Sequence, residues 1–349
     1  GPNGEFHGSH EDTAFKAYSP QARTHFHMNS LIRMAMLDAG IASGDRALVE
    51  MAQRGYAYGK MRGNTLSGFF PEYLNVGGGY GNSCELCCTA DMIYLALRQS
   101  TSGTADCWDD VDRWVRNIFV EAQLTDVGWV QGYSARFGEV GGFPHRVSEN
   151  VAERAKGVWG GWVDLNEWQT EQRSIMACCV GNSAMQLFRV WRDMLTFEPK
   201  KNRLTVHLLL NRASPWGDVY SCIPNKGLVE VKLKRDGEVA LRIPEWTKPQ
   251  ECKLQSGGKD ATPAWEGRYA IVKGRKGETV SLSFPIAERT EKIKTTGGEY
   301  QAVIRGNTIV DINPPGANHP LFKRASYRQP EAQMKEVERF VTEKVEMAY

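Results

Sequence analysis

The periodicity of the apolar residues changes close to residue 200 of this 349-residue chain. Before that point, apolar residues recur at the spacings of amphipathic helices. After it, short β-type runs alternate with glycine and proline turn signals, and no helix-length segment separates them. This order predicts a mainly α protein with β structure, in which a helical domain occupies residues 1–200 and an antiparallel β-sandwich occupies residues 201–328. Residues 329–349 have the pattern of an amphipathic C-terminal helix.

The predicted helices of the first domain are bounded by polar caps and glycine breaks. Asn29 is placed as the cap of the first helix and Asn182 as the cap of the last. The first helix is predicted to present one apolar face, made of Leu31, Ile32, Ala35, Met36 and Ala39. The next three helices are predicted to span Arg46 to about Lys60, Cys84 to about Arg98, and Cys107 to Leu124. In the last helix, the residues predicted to point inward are Met185, Leu187, Phe188 and Trp191. Between the helices lie glycine- and tryptophan-rich loops of a length that is typical of functional loops.

Charge and hydropathy exclude several classes of function. The 43 basic and 41 acidic residues give a net charge of +2 without a long basic run, so nucleic-acid binding is not expected. No segment approaches the roughly 18 apolar residues of a membrane span, so no membrane partner is expected. The chain starts without an initiator methionine, which leaves open a removed leader or a missing N-terminal part. The compartment is left open between bacterial cytoplasm and periplasm, because reduced cysteines fit a cytoplasm better unless zinc protects them.

Cysteine is concentrated in two short clusters, Cys84-Glu85-Leu86-Cys87-Cys88 and Cys178-Cys179. A carboxylate and a thiolate two residues apart, brought near two vicinal thiolates, would supply one oxygen and three sulfurs, which is a tetrahedral Zn2+ set. Vicinal cysteines seldom bond to each other without strain, so ligation explains the clusters more readily than disulfides do. The alternative is that these cysteines are small buried apolar residues on helices.

Three segments of the chain, taken together, resemble one enzyme family. They are Glu85-x-Cys87 before a helix, Cys178-Cys179-x-x-Asn182 opening another, and Leu241-Arg242-Ile243-Pro244-Glu245-Trp246 in the β region. With them, from about Thr24 to Arg324, the sequence resembles glycoside hydrolase family 127, whose best-known activity is β-L-arabinofuranosidase. The resemblance implies an (α/α)6 barrel followed by β-sandwich domains. It also implies a site with zinc ligands Glu85, Cys87, Cys178 and Cys179, with Cys178 as the nucleophile and an upstream glutamate as the acid/base.

The chain departs from the family pattern in several places. Cys88 adds a sulfur beside Cys87, so that the metal has two neighbouring thiols to choose from. Val180-Gly181 follows the vicinal cysteines where the family has two prolines. Thr24 already resembles the middle of the barrel. These departures indicate a divergent or N-terminally truncated member, or one whose remaining barrel walls come from elsewhere.

The implied chemistry needs a thiolate and a carboxyl group at one sugar ring. Zinc keeps a coordinated thiol deprotonated, so attack at the anomeric carbon forms a thioglycosyl intermediate while a carboxylic acid protonates the leaving oxygen. The same carboxylate then activates water and configuration is retained, which requires the two groups to lie about 5 to 5.5 Å apart. Glu72, beside Phe69-Phe70-Pro71 on the loop before Glu85, is the predicted acid/base, because apolar neighbours raise the pKa of a carboxyl group. The alternative for Glu72 is a solvated loop carboxylate.

The remaining candidates would contact the sugar. His25 and His27 lie next to a helix start and resemble a histidine that contacts sugar hydroxyls in the family; a His-x-His metal pair and a structural role are left open. Trp129, Trp159 and Trp162 lie on glycine-rich loops, where flat rings stack on sugar faces, although such rings also anchor loops in a core. Reserve acid/base candidates on or beside these loops are Glu139, Glu149, Asp164 and Glu167.

The sequence therefore predicts a retaining glycoside hydrolase with a zinc-thiolate cysteine nucleophile, acting on a terminal L-arabinofuranoside or a related sugar. One alternative keeps the fold and makes the protein a lyase or dehydratase of uronic-acid oligosaccharides. Another is a non-catalytic carbohydrate-binding remnant whose zinc is structural. The expected partner is an oligosaccharide or glycoside, and a homodimer is left open.

Overall fold

The computed structural model describes residues 1–9, 18–19, 23–75, 83–137, 150–168 and 175–333. Its α-helices are α1 (Phe26–Ser43), α2 (Arg46–Arg62), α3 (Leu86–Ser102), α4 (Trp108–Trp114), α5 (Gly128–Phe137), α6 (Val151–Ala155) and α7 (Ala177–Asp193). A π-helical turn, Val115–Phe119, continues α4. Helices precede the long strands along the chain, in agreement with the predicted order of helical and β structure.

α3 forms the centre of the helical part. Every side chain from Leu86 to Leu97 is buried, as expected of a helix that is apolar on nearly every face and surrounded by other elements. α1, α4 and α7 all pack against it. The residues at the start of α3 are therefore held inside the fold.

The start and the buried face of α1 differ from the prediction. α1 begins at Phe26, with His25 at its N-cap, and not at Asn29. Leu31 and Ile32, predicted to share an apolar face, are 39% and 52% exposed. α1 is apolar around most of its circumference, so a sequence pattern does not specify which face packs against α2 and α3.

α7 differs from the prediction in the same two respects. It begins at Ala177 and not at Asn182. Met185 and Leu187, predicted to face inward, are exposed, whereas Gln186 is buried. The amide of Gln186 donates to the side-chain oxygen of Asn182 at 3.3 Å, so hydrogen bonding as well as hydrophobicity decides which face of α7 packs inward.

Short strand pairs brace the helical part, and longer strands form the rest of the structure. The short pairs are β1 (Gly8–Ser9) with β2 (Tyr18–Ser19), β3 (Thr24–His25) with β4 (Tyr73–Leu74), and β5 (Cys84–Glu85) with β6 (Trp162–Val163). The remaining strands are β7 (Leu195–Glu198), β8 (Arg203–Val206), β9 (Gly217–Ser221), β10 (Leu228–Leu233), β11 (Gly237–Arg242), β12 (Lys253–Ser256), β13 (Lys259–Asp260), β14 (Ala264–Glu266), β15 (Tyr269–Gly274), β16 (Thr279–Ser283), β17 (Glu288–Thr295), β18 (Gly298–Arg305) and β19 (Thr308–Asn313).

The long strands form two five-stranded sheets, in the orders β13-β12-β16-β10-β9 and β14-β15-β11-β8-β7, and a three-stranded sheet, β17-β18-β19. Burial alternates along β9 and β10, as expected of strands with one face on a core. Among the described strands, every pair is antiparallel except β8 with β11, where Val206 lies opposite Leu241. The antiparallel prediction is wrong for that pair, because the chain between them passes through the other sheet and returns in the same direction. β7, which pairs with β8, starts at Leu195, before the predicted boundary at residue 200.

Polar and aromatic contacts fix the β region to the helical part. The guanidinium group of Arg242, at the end of β11, is buried and lies 2.6 Å from the carboxylate of Asp109 in α4. His207 stacks on Trp108, with ring centroids 4.5 Å apart. A buried ion pair is favourable only when its geometry is well defined, so Arg242 and Asp109 hold β11 in one orientation relative to α4.

The predicted C-terminal helix lies mostly outside the described residues. Of residues 329–349, only 329–333 are described, and they are not helical. The described helices include none with both the length and the apolar character needed to cross a lipid bilayer.

Candidate metal and catalytic site

Two helix starts hold the cysteine clusters in place. β5 pairs with β6 so that Glu85 lies opposite Trp162. β5 runs directly into α3, which makes Glu85 the N-cap residue of α3 and places Cys87 in its first turn. Cys178 and Cys179 lie in the first turn of α7, which packs against α3. The packing of these helices therefore brings both clusters to one place.

Four candidate ligand atoms converge there. A side-chain oxygen of Glu85 and the Sγ atoms of Cys87, Cys178 and Cys179 all lie within 4.8 Å of one another. The Sγ atom of Cys179 is 3.4 Å from that of Cys87 and 3.9 Å from that of Cys178. Sulfurs bound to a tetrahedral zinc ion, each about 2.3 Å from the metal, lie about 3.8 Å apart. The donor set and its spacing fit zinc, and we call these four residues the ligand group.

Burial distinguishes Cys178 from the rest of the ligand group. Glu85, Cys87 and Cys179 are buried, whereas Cys178 is exposed. Cys178 is thus the thiol of the group that a solute in the surrounding solvent can reach.

Cys88, which the sequence left open as a competing ligand beside Cys87, does not belong to the ligand group. It is fully buried, lies outside the ligand group, and its thiol donates to Oε2 of Glu85 at 3.5 Å. Burial and the neighbouring charge of Glu85 raise the pKa of Cys88 well above its usual value, so the thiol keeps the proton that it donates. Cys88 therefore holds the Glu85 carboxylate in place while Cys87 joins the ligand group.

The three thiols of the ligand group differ in how readily they ionise. The hydrogen bond that Cys87 donates lowers the pKa of Cys179, and the same bond, together with burial, raises the pKa of Cys87. Burial and the charge of Cys179 raise the pKa of Cys178. A divalent cation at the centre of the group would favour the ionised form of all three thiols.

Glu72 lies beside the ligand group. It is 5% exposed. Its backbone N–H donates to the carbonyl of Ser83 at 3.1 Å, and its own carbonyl accepts from the N–H of Phe26 at 2.9 Å. One of its side-chain oxygens lies within 4.8 Å of a side-chain oxygen of Glu85 and of a ring nitrogen of His25. Glu72 is therefore a buried carboxyl group next to a candidate ligand, and not a solvated loop carboxylate.

His25 and His27 reach the site from the start of α1. Nε2 of His25 lies 3.2 Å from Oε2 of Glu85. Nδ1 of His27 lies 2.6 Å from Oδ2 of Asp91. Burial alone would lower the pKa of His27, but the hydrogen bond to Asp91 and the charge of that carboxylate outweigh burial and raise it. Each histidine is thus oriented by a different buried carboxylate of the site.

Sequence reasoning missed Asp91. This fully buried residue of α3 accepts hydrogen bonds from the hydroxyl of Ser30 at 2.5 Å and from the amide of Asn182 at 2.9 Å, in addition to its contact with His27. Burial raises the pKa of Asp91, although these hydrogen bonds oppose the shift. The available signal was a carboxylate within an apolar helical run, four residues after Cys87 and therefore on the same helix face.

The three tryptophans that were predicted to contact the sugar differ in their contacts within the structure. Trp162 is buried on β6, the strand that pairs with β5. The indole N–H of Trp159 donates to the carbonyl of Phe119 at 2.9 Å, and its ring is buried. Trp129 stacks on His319, with ring centroids 4.0 Å apart. Trp162 is thus next to the ligand group, whereas Trp159 and Trp129 have the contacts of loop anchors.

Asp164 and Glu167 are the reserve acid/base candidates among the described residues, and both form hydrogen bonds that involve loop backbone groups. Glu167 accepts hydrogen bonds from backbone N–H groups that include that of His319, at 2.9 Å. Partial burial opposes these bonds, but together they lower the pKa of Glu167. The N–H of Asp164 donates to the carbonyl of Glu167 at 2.9 Å. Glu139 and Glu149 lie outside the described residues.

This chain resembles several known proteins in its three-dimensional structure. No protein-family model matches the sequence, and no curated protein matches it. A GH127 β-L-arabinofuranosidase from Geobacillus stearothermophilus T6 and the GH127 β-arabinofuranosidase BT3674 each match 82% of this chain, with a TM-score of 0.56 and 16% identity. A glycoside hydrolase matches 82% of the chain with a TM-score of 0.54 and 13% identity.

The chain spans about half the length of these solved structures, namely 47%, 47% and 51%. At such low identity the likeness establishes the fold. The resemblance to glycoside hydrolase family 127 that the sequence motifs indicate is therefore confirmed at the level of the fold.

Proposed function

We propose that the protein is a retaining glycoside hydrolase that uses Cys178 as its nucleophile and acts on a terminal L-arabinofuranoside or a related sugar. The observation that carries this proposal is the convergence of the ligand group, in which Cys178 is the exposed member. The fold shared with two GH127 arabinofuranosidases supports the same class of activity.

The ligand group would hold a zinc ion, because three sulfurs and one carboxylate oxygen are donors that zinc accepts in a tetrahedral site. When bound, zinc would keep the coordinated thiols deprotonated near neutral pH. His25 and Cys88 both contact the Glu85 carboxylate and would orient that ligand.

Cys178 and Glu72 would share the chemical steps. The Cys178 thiolate attacks the anomeric carbon and forms a C–S bond as the bond to the leaving oxygen breaks, and Glu72 gives its proton to that oxygen. Glu72 then takes a proton from water, which attacks the anomeric carbon and releases the thiolate; two inversions retain the configuration. Glu72 suits this role because it is the buried carboxyl group beside Glu85 that is not itself in the ligand group.

The sugar contacts are proposed from proximity to the ligand group. His25, His27 and Trp162 are supported by their contacts with, or their position opposite, residues of the site. Trp129 and Trp159 stay predictions with weaker support, since their rings pack elsewhere.

The same comparisons support a proposal about architecture. We propose that the helical domain, residues 1–200, is part of an (α/α)6 barrel and that residues 201–328 form a β-sandwich domain. The two five-stranded sheets, together with the alternating burial along β9 and β10, support the second assignment.

Replacing Cys178 by serine tests the nucleophile. A hydroxyl group at this position does not ionise near neutral pH, so hydrolysis of 4-nitrophenyl β-L-arabinofuranoside is expected to fall by at least about 1,000-fold. Cys252→Ser, in the β region, is the matched control and is expected to keep the unaltered kcat/KM. Full activity of the Cys178→Ser protein would contradict the proposed nucleophile.

A second candidate function, elimination from uronic-acid oligosaccharides, is favoured by one observation. His27 is held by Asp91 in the manner of an oriented general base. Elimination leaves an unsaturated sugar that absorbs ultraviolet light, whereas hydrolysis releases a saturated free sugar. Product analysis on a panel of oligosaccharides separates the two, and binding without either product would favour the carbohydrate-binding remnant.

A further inference from the structure

The carboxylate of Asp91 connects three helices beside the ligand group. Asp91 is a fully buried residue of α3. Its Oδ2 contacts Nδ1 of His27 at 2.6 Å and accepts from the hydroxyl of Ser30 at 2.5 Å, and both of these residues belong to α1. Its Oδ1 accepts from Nδ2 of Asn182 in α7 at 2.9 Å. One buried acceptor therefore serves side chains from two of the helices that pack against α3, namely α1 and α7.

The bond between Asp91 and Asn182 lies one helical turn beyond the thiols. Asp91 is four residues after Cys87 in α3, and Asn182 is four residues after Cys178 in α7. Residues at this spacing lie on the same helix face, about 6 Å apart along the axis. α3 and α7 are thus joined at two successive levels: Sγ of Cys87 lies 3.4 Å from Sγ of Cys179, and the carboxylate of Asp91 accepts the amide of Asn182.

We propose that Asp91 is a positioning residue, which sets the register of α7 against α3 through Asn182 and thereby sets the affinity of the ligand group for metal. This inference rests on the metal centre of the proposed function. A shift of one residue along a helix axis moves a ligand by about 1.5 Å, whereas zinc–ligand distances tolerate about 0.2 Å. Nδ2 of Asn182 also lies 3.4 Å from the carbonyl oxygen of Cys87, so the same amide contacts the backbone of a ligand residue.

A positioning role and a purely structural role differ in what they change. If Asp91 only stabilised the fold, loss of its bond to Asn182 would lower the melting temperature with and without metal alike, and the Kd for zinc would stay the same. If the bond sets the register, the Kd itself rises, because the thiols of α7 no longer meet those of α3 at the distances that zinc requires.

The experiment exchanges the two partners of the bond. Asn182→Asp places a second carboxylate against Asp91, and the double variant Asp91→Asn/Asn182→Asp restores one donor and one acceptor in swapped positions. Ser30→Ala removes a hydrogen bond on the α1 side and keeps the bond to α7, so it is the matched control. The Kd of each full-length variant for Zn2+ is measured by competition with a chromophoric chelator, together with melting curves with and without Zn2+.

We expect Asn182→Asp to weaken zinc binding by at least about tenfold, and the exchange variant to recover most of that loss, while Ser30→Ala stays close to the unaltered protein. The proposal would be overturned if Asn182→Asp bound zinc with the same Kd as the protein without substitutions. It would also be overturned if the exchange variant bound zinc no more tightly than Asn182→Asp. If Asn182→Asp does not fold, Asn182→Ala replaces it with the same expected loss. A folded, unaltered protein that binds no zinc would overturn the metal centre itself, whereas tight binding that these substitutions leave unchanged would overturn this inference alone.

Discussion

Nε2 of His25 lies 3.2 Å from Oε2 of Glu85, so a side chain from the start of α1 contacts a candidate metal ligand at the start of α3. Two short strand pairs produce this contact: His25 pairs with Tyr73, and Glu85 pairs with Trp162. A group that hydrogen bonds to a metal ligand orients it and tunes its affinity for metal. His25 has that relationship to Glu85.

Replacing His25 by glutamine is expected to weaken zinc binding by about tenfold, because Glu85 loses the imidazole that orients its carboxylate. The Kd for Zn2+ of the purified variant checks this expectation. His319→Gln is the matched control, since His319 stacks on Trp129 away from Glu85. An unchanged Kd in His25→Gln would show that the contact does not orient the ligand.

Replacing Glu72 by glutamine is expected to lower kcat by about 100- to 10,000-fold and to leave the zinc content unchanged, because Glu72 lies outside the ligand group. The loss is expected to be larger for methyl β-L-arabinofuranoside than for the 4-nitrophenyl glycoside, whose leaving oxygen needs little help from an acid. Glu167→Gln is the control, since Glu167 binds backbone N–H groups of a loop. Equal losses with both substrates would contradict the acid role of Glu72.

The ligand group could be predicted from the sequence because its members sit in local motifs. Glu85 and Cys87 are two residues apart, and Cys178 and Cys179 are adjacent, so each helix start presents its own pair. The resemblance to the family indicated Cys87, but the residue types alone left Cys88 as a competing ligand, because the rotation of α3 about its axis decides which of the two sulfurs joins the ligand group.

Features that depend on long-range packing were also not predictable. Asp91 becomes informative only when α1 and α7 bring Ser30, His27 and Asn182 to it. The exposed face of α1 and the parallel pairing of β8 with β11 likewise depend on which elements become neighbours, and no local pattern contains that information.

His207 is expected to make stability depend on pH. It stacks on Trp108, and its Nδ1 lies 2.6 Å from the hydroxyl oxygen of Tyr269. Burial and the nearby charge of Arg242 lower the pKa of His207 to about 4. This value is below the unfolded-state pKa of about 6.5, so the unfolded chain takes up a proton at a higher pH than the folded protein does. The contribution of His207 to the free energy of unfolding is therefore fully present above about pH 6.5. It is lost as the pH falls toward 4, and the loss is at most about 3 kcal/mol.

His207→Gln separates this effect from other acid-sensitive groups. The free energy of unfolding, measured with urea at pH 7 and at pH 4.5, is expected to fall less on acidification in the variant than in the unaltered protein. The same decrease in both proteins would contradict the assignment of this pH dependence to His207.

Elemental analysis of the protein, purified without added metal, determines whether the ligand group binds zinc. The proposed site predicts about one zinc ion per chain, lost in the Cys178→Ser/Cys179→Ser variant and retained in the matched Cys222→Ser/Cys252→Ser variant. A folded protein without zinc, or one that keeps its zinc in the Cys178→Ser/Cys179→Ser variant, would contradict a zinc-thiolate site in this ligand group.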